Sequence, residues 1–234
     1  MSNNDLVTRT ILVSKHQPDT ILVSRGSAEE NMAEAEDVDS GLSQIRAFDL
    51  SNMTSSSEPF DFNTEGEVIA WGLRNSVGMA EHPVTGGIFA VENSVDGVTR
   101  NGKDIHENNP GEELNFLGFL NGTSGDDDGA NGNRVSRNYG YPHCFAVWDI
   151  GEIPDNDGLA PGDQFARDES GSMSDDVCLE DYIPPRLTFP AHYAPMDILF
   201  TEEGDEAFVT FRGSCEYFSS SLFPLFHIFV SHAN

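Results

Sequence analysis

Short apolar runs separated by polar turns dominate the chain, while apolar positions at helical spacing are scarce. The clearest runs cover residues 10–14, 20–24, 87–92, 144–150, 196–200 and 207–211. Their β-branched and aromatic residues, bounded by Gly, Pro, Asn and Asp, predict short strands and tight turns. The predicted class is therefore all-β. One layout recurs: an apolar run, a turn, then a second apolar run closing on a small or polar cluster. Thr10-Ile11-Leu12-Val13 turns at Pro18-Asp19 into Ile21-Leu22-Val23-Ser24. Asn75-Ser76-Val77-Gly78-Met79-Ala80 turns through Pro83 and Gly86 into Ile88-Phe89-Ala90-Val91-Glu92. Met196-Asp197-Ile198-Leu199-Phe200 turns at Gly204-Asp205 into Ala207-Phe208-Val209-Thr210-Phe211. These copies begin near residues 10, 75 and 196, at intervals of about 65 and 120, which leaves room for a fourth unit between the last two. Paired strands separated by long polar excursions predict a β-propeller of about three to four blades. A β-sandwich would also alternate, but it does not account for the repeated pairing.

Composition narrows the partners. The 234 residues hold 40 Asp and Glu against 12 Lys and Arg, a net charge of −28, which repels nucleic acid and anionic membranes. Hydrophobic residues make up 38%, and 16 Phe need burial, so a packed core is expected rather than a disordered acidic tail. No stretch reaches the roughly 20 apolar residues of a spanning helix, and the opening residues lack the basic start and apolar centre of a signal peptide. Two glycosylation sequons, Asn52-Met53-Thr54 and Asn121-Gly122-Thr123, point weakly toward secretion. Three cysteines, Cys144, Cys178 and Cys215, allow one bridge and one leftover thiol.

Four stretches carry candidate chemistry. Ile105-His106-Glu107-Asn108-Asn109-Pro110-Gly111-Glu112-Glu113-Leu114-Asn115 sets carboxylates and amides on a turn before a strand, a hard-oxygen pattern that suits calcium and equally a solvated acidic turn. Asp126-Asp127-Asp128-Gly129 faintly resembles a calcium loop but lacks the closing bidentate Glu. In Trp71-Gly72-Leu73-Arg74-Asn75-Ser76, the Arg at a strand entrance can grip an anion by bidentate bonds or pair with a nearby carboxylate. Asn138-Tyr139-Gly140-Tyr141-Pro142-His143-Cys144, leading into Phe145-Ala146-Val147-Trp148, offers rings to a sugar or planar cofactor, or simply to the core. The chain has no Gly-Xaa-Ser-Xaa-Gly, Walker loop, dinucleotide fingerprint or His-Glu-Xaa-Xaa-His, so the corresponding chemistries lack support.

Taken in order, Gly72-Leu73-Arg74-Asn75, Asn108-Asn109-Pro110-Gly111-Glu112-Glu113-Leu114-Asn115 and Asn138-Tyr139-Gly140-Tyr141-Pro142 resemble the glucose/sorbosone dehydrogenase family. Within it they are most similar to the fungal pyranose dehydrogenases that depend on pyrroloquinoline quinone (PQQ). The similarity runs from about Asp5 to Ser214. It implies a six-bladed propeller family with PQQ and calcium as cofactors. The implied reaction has a His taking a sugar hydroxyl's proton while hydride passes to the quinone. The partner implied is a small sugar, with the electron acceptor unassigned, and the implied setting is extracellular. By position, Arg74 and Asn75 would contact the quinone, and Glu113 with carbonyls around Asn109 and Pro110 would form the calcium region. Cys144 and Cys178 would form a bridge.

Two departures stand out. The family's base His falls at Leu6, within Asp5-Leu6-Val7-Thr8-Arg9, and leucine accepts no proton. The fungal His-Gly-Ser-Trp-Asn-Arg segment reads Arg212-Gly213-Ser214-Cys215-Glu216-Tyr217. The chain thus divides into a propeller-like part, residues 1–217, and a divergent apolar tail, residues 218–234, as in a truncated or mis-spliced product. Two functions follow as expectations: an impaired quinone-dependent sugar dehydrogenase, or a non-catalytic remnant or module that binds carbohydrate or calcium. A protein-interaction propeller is a third, less supported class.

Overall fold

The computed structural model describes residues 9–27, 29–120, 137–167, 172–213 and 225–229. Leu6, the Asp126-Asp127-Asp128-Gly129 cluster, Asn121 and Cys215 lie outside the described residues. In chain order the strands begin with β1 (Ile11–Val13), β2 (Thr20–Arg25), β3 (Gln44–Asp49), β4 (Glu67–Trp71), β5 (Ser76–Glu81) and β6 (Gly87–Glu92). A short hairpin, β7 (Thr99–Arg100) and β8 (Lys103–Asp104), precedes the long β9 (Glu112–Phe119). Then come β10 (Cys144–Ala146), β11 (Gln164–Ala166), helix α1 (Asp175–Asp181), β12 (Leu187–Phe189), β13 (Pro195–Phe200), β14 (Glu206–Phe211) and β15 (Leu225–Phe229).

Three sheets have the form of blades, with orders β1-β2-β3-β4, β12-β9-β6-β5 and β13-β14-β15. Each of the repeated apolar pairs is an antiparallel hairpin at one edge of a blade: β1–β2, β5–β6 and β13–β14. The partial propeller therefore has three blades among the described residues. Among the described residues the long interval before β13 builds no fourth blade, because β9 and β12 complete the second and β10–β11 forms a separate two-stranded sheet. Within the stretch set apart as a divergent tail, β15 pairs with β14 from Glu206↔Phe229 to Thr210↔Leu225.

Alternation along the strands decides which blades touch. Leu22, Ile45, Ile69, Met79, Ile88, Ala90 and Leu117 form the core between the first two blades, where burial is the main stabilising term. The opposite face of the second blade, with Ala80, Val91 and Leu114, packs on Ile198, Ala207, Val209 and Phe211 of the third. Gly78 permits that approach, since a Cβ there would lie 2.6 Å from Asp197 Cα. Residues 144–150, expected as one strand, are strand only to Ala146. Beyond it, Asn109 Oδ1 accepts the N–H of Trp148 (2.9 Å) and of Asp149 (3.2 Å), and Asp149 then caps a short 3-10 turn at Ile150–Glu152. A disulfide joins Cys144 of β10 to Cys178 of α1. No helix among the described residues is long and apolar enough to cross a membrane.

Candidate functional site

The three motifs of the resemblance converge. Backbone bonds bring the first against the last: Tyr139 N–H donates to Trp71 O and Tyr141 N–H to Gly72 O, both at 2.9 Å. The approach is close enough that Gly72, at φ +70°, could not carry a side chain, because its Cβ would fall 2.1 Å from Asn138 Oδ1. Arg74 O then accepts from Ser27 N–H at 2.7 Å, and the Ser27 and Tyr141 hydroxyls lie 3.2 Å apart. Burial is the main cause pushing the Tyr141 phenol above its usual range.

The middle motif arrives through register. On adjacent strands, β6 and β9 set Glu92 opposite Glu113 and Ala90 opposite Asn115, so both carboxylates and the amide share one face. Glu92 Oε1 accepts the Arg74 N–H at 2.6 Å, and Glu113 Oε2 accepts Asn115 Nδ2 at 3.0 Å. Glu92 Oε2 and Asn115 Oδ1 are buried acceptors without a hydrogen-bond partner, as are Asn75 Oδ1 and the Ser76 hydroxyl beside them. Desolvation drives the Glu92 carboxyl well above the ordinary carboxylate range, and the neighbouring Glu113 charge adds to it. Burial likewise lifts Glu113 to about 7, against the Asn115 amide that favours its charged form.

Glu112 points to the other face and works as a tie. Its Oε2 accepts Ser94 N–H at 2.7 Å and its Oε1 accepts Ala194 N–H at 3.0 Å. Ser94 O and Asn93 O in turn accept Arg74 Nη1, at 2.5 and 3.3 Å, so Glu112 anchors the turn that holds the guanidinium. Ala194 adopts a left-handed φ of 47°, uncommon for a residue with a side chain, and this same turn takes the Asn93 amide on Pro195 O at 2.6 Å. Burial raises the Glu112 carboxyl to about 7 despite those N–H donors. Glu112→Gln keeps the shape but sets an NH₂ against an N–H. It is expected to cost about 1–3 kcal/mol, read from urea unfolding.

Glu92 thus links Arg74, whose N–H it accepts, to Glu113, which it faces across β6 and β9, and Asn75 follows Arg74 in the chain. Asn109 is committed elsewhere, with both side-chain heteroatoms bonded to the backbone of residues 148–149, so only its carbonyl remains for a ligand. Pro110 follows it, buried, across a cis bond. Sequence reasoning missed Glu92, Glu112 and the role of Asn115. One signal was present for Glu92: it continues the parity of Ile88 and Ala90, so an acidic residue occupies a core-facing position.

Comparison with known proteins decides the family, because the family model described as TrAA12-like matches residues 1–233. The chain belongs to the TrAA12-like family. It is 47% identical over 220 residues to a pyrroloquinoline quinone-dependent sugar dehydrogenase of Hypocrea jecorina, covering 94% of this chain and 49% of the relative. Against the pyrroloquinoline quinone-dependent pyranose dehydrogenase of Coprinopsis cinerea identity is 34%, over 92% of this chain and 28% of the relative. Among solved structures, the calcium structure of the Trichoderma reesei carbohydrate-active enzyme of family AA12 superposes with a TM-score of 0.83 at 47% identity, over 92% of this chain and 51% of that one. The holo PQQ domain of the Coprinopsis cinerea pyranose dehydrogenase gives 0.78 at 32% identity, over 90% of this chain and 49% of that one. The chain therefore spans about half the length, or less, of the relatives it matches.

Proposed function

We propose that the chain carries half of a quinone and calcium centre of a sugar dehydrogenase, with Arg74 and Asn75 on the quinone side and Glu113 on the metal side. The observation that supports this most is the face shared by Glu92, Glu113 and Asn115, where buried oxygen acceptors outnumber donors. Hard oxygens lacking donors suit calcium. Among the described residues no group of three His, Cys, Asp or Glu converges on a metal point, so amide and backbone oxygens, including those of Asn109 and Pro110, would complete its shell.

When bound, the quinone accepts two electrons and calcium polarises it. The chain's own part is electrostatic and positional. Arg74 supplies a cation held by two carbonyls, matched to the carboxylates of PQQ. Glu92 fixes the Arg74 backbone while facing the metal region. Leu6, where the resemblance places a base, moves no proton, so turnover of a sugar hydroxyl is expected to be slow. Leu6→His is expected to raise turnover by about 10²- to 10⁴-fold in protein loaded with PQQ and calcium. An unchanged rate in a folded variant would remove Leu6 as the obstacle.

Calorimetric titration with PQQ, first in calcium and then in chelator, tests the reading directly. Calcium-dependent binding that Arg74→Ala abolishes is the expected result. A folded wild-type sample that binds no PQQ in calcium would overturn it.

A further inference from the structure

The Asn52-Met53-Thr54 sequon has no part in the quinone and calcium reading, yet the structure gives it a definite setting. It follows the end of β3, where Leu50 N–H donates to Asp19 O at 2.6 Å and Met53 N–H donates to Leu50 O at 2.9 Å, closing a tight turn. Every residue from 51 to 61 is exposed, so nothing in the fold packs over this turn. Asn52 Nδ2 donates to Ser51 Oγ at 3.3 Å, a long bond that yields readily. The Thr54 hydroxyl lies at the surface, 3.1 Å from that of Ser56 and 3.2 Å from that of Ser57. Strand β3 separates the turn from the candidate centre. Its first residue, Gln44, pairs with Arg25 and Trp71, and Leu73 N–H donates to Ser43 O at 3.2 Å, so the Arg74 loop lies at that end. Its last residue, Asp49, lies about 16 Å away at about 3.3 Å per residue.

We infer that Asn52 is an N-glycosylation site, set on the rim of the first blade at the end of β3 remote from the candidate centre. In the transfer, Asn52 Nδ2 forms a bond to C1 of an oligosaccharide carried on a lipid diphosphate. The C1–O bond to the diphosphate breaks, the lipid diphosphate leaves, and Nδ2 gives one proton to the transferase. A bulky, hydrated group fits here because the turn is open on its outer side, and it shields Met53, a large apolar side chain that is otherwise exposed. A separate feature points to the compartment in which this transfer occurs. The Cys144–Cys178 bridge is buried, and such bonds form and persist on the oxidising secretory route along which N-glycans are attached. Neither feature involves Arg74, Glu92 or Glu113, so the inference stands whether or not quinone binds.

The test expresses the full 234-residue chain behind a heterologous secretion leader in yeast and maps peptides of both the secreted and the membrane-enclosed protein. An amide-cleaving glycosidase in heavy-oxygen water turns a glycosylated Asn into a labelled Asp, so Asn52 is read apart from Asn121. Labelling of Asn52 in most molecules is expected, kept at lower occupancy in Thr54→Ser and lost in Thr54→Ala. Asn52→Gln is expected to lose one glycan, read as one step of increased mobility. Enzymatic removal of the glycan from folded protein is expected to leave the calorimetric response to PQQ unchanged. An unlabelled Asn52, labelling confined to Asn121, or equal labelling in Thr54→Ala overturns the inference. A PQQ response altered by deglycosylation overturns the placement on the remote rim. A variant that is not secreted still reports, because the glycan is attached during translocation and is read on the membrane-enclosed chain.

Discussion

Calcium is expected to raise the unfolding midpoint by about 5–10 °C at about a hundredfold excess over its dissociation constant. A ligand bound only by the folded state contributes about 2.7 kcal/mol at that excess, and about 2–4 °C accompanies each kcal/mol at this chain length. The source of the effect is the Glu92–Glu113 face, whose buried acceptors lack enough donors. Glu92→Gln, which keeps the volume and removes the charge, should abolish most of the shift. The effect depends on pH with a definite sign. The folded carboxyls of Glu112 and Glu113 titrate at about 7, above the ordinary value of 4.5 that they take in the unfolded chain, and Glu92 is displaced in the same direction. In chelator their contribution to stability is full below 4.5 and is lost as pH rises through about 7, because deprotonation leaves buried charges uncompensated. Calcium at the shared face compensates the Glu92 and Glu113 charges, so its stabilisation is larger at pH 7.5 than at pH 5. Differential scanning fluorimetry at both pH values checks this. Equal midpoints in calcium and chelator at pH 7.5 would mean that no cation occupies the face.

Arg100→Met is expected to destabilise the chain by about 3–5 kcal/mol, the cost of stripping one partner from a buried ion pair. The Arg100 side chain is fully buried and takes both Asp175 oxygens at 2.8 Å. It also donates to Asp155 O at 3.1 Å and lies 5.8 Å from the Phe165 ring centre. Asp175 opens α1 and accepts Ala166 N–H at 2.8 Å, so one guanidinium holds β7, β11 and α1 together. Arg100→Met fills the space but leaves the Asp175 carboxylate without its cation. The double variant Arg100→Met/Asp175→Asn should recover part of the loss, and urea unfolding of the three proteins gives the coupling. Full stability in Arg100→Met would show that the clamp contributes nothing net.

Arg74 and Glu113 were singled out by the family resemblance alone, since a cation and a carboxylate at the edges of apolar strands suit an ion pair and a solvated turn equally well. Glu92 was readable in principle from its parity with Ile88 and Ala90, yet an acidic residue ending a strand looks like an ordinary solvated terminus until its neighbours are known. Asn109 shows a part that only the fold reveals. Its expected part is played by its backbone carbonyl, and only tertiary contact shows that its side-chain amide is a brace for Trp148 and Asp149. The run at residues 144–150 looked like one strand from its local pattern, and that brace diverted its second half.

By itself the sequence determined the all-β class and the three hairpins, because alternation and turn residues act within about ten positions of the chain. It also carried the resemblance on which the quinone reading rests. Only the tertiary structure decided how many blades those hairpins serve, that β9 and β12 complete the second blade, and that Glu92 meets Glu113 across two strands. Register between distant segments, and the desolvation it imposes on a carboxyl, depend on which surfaces close over one another. No local pattern carries that information.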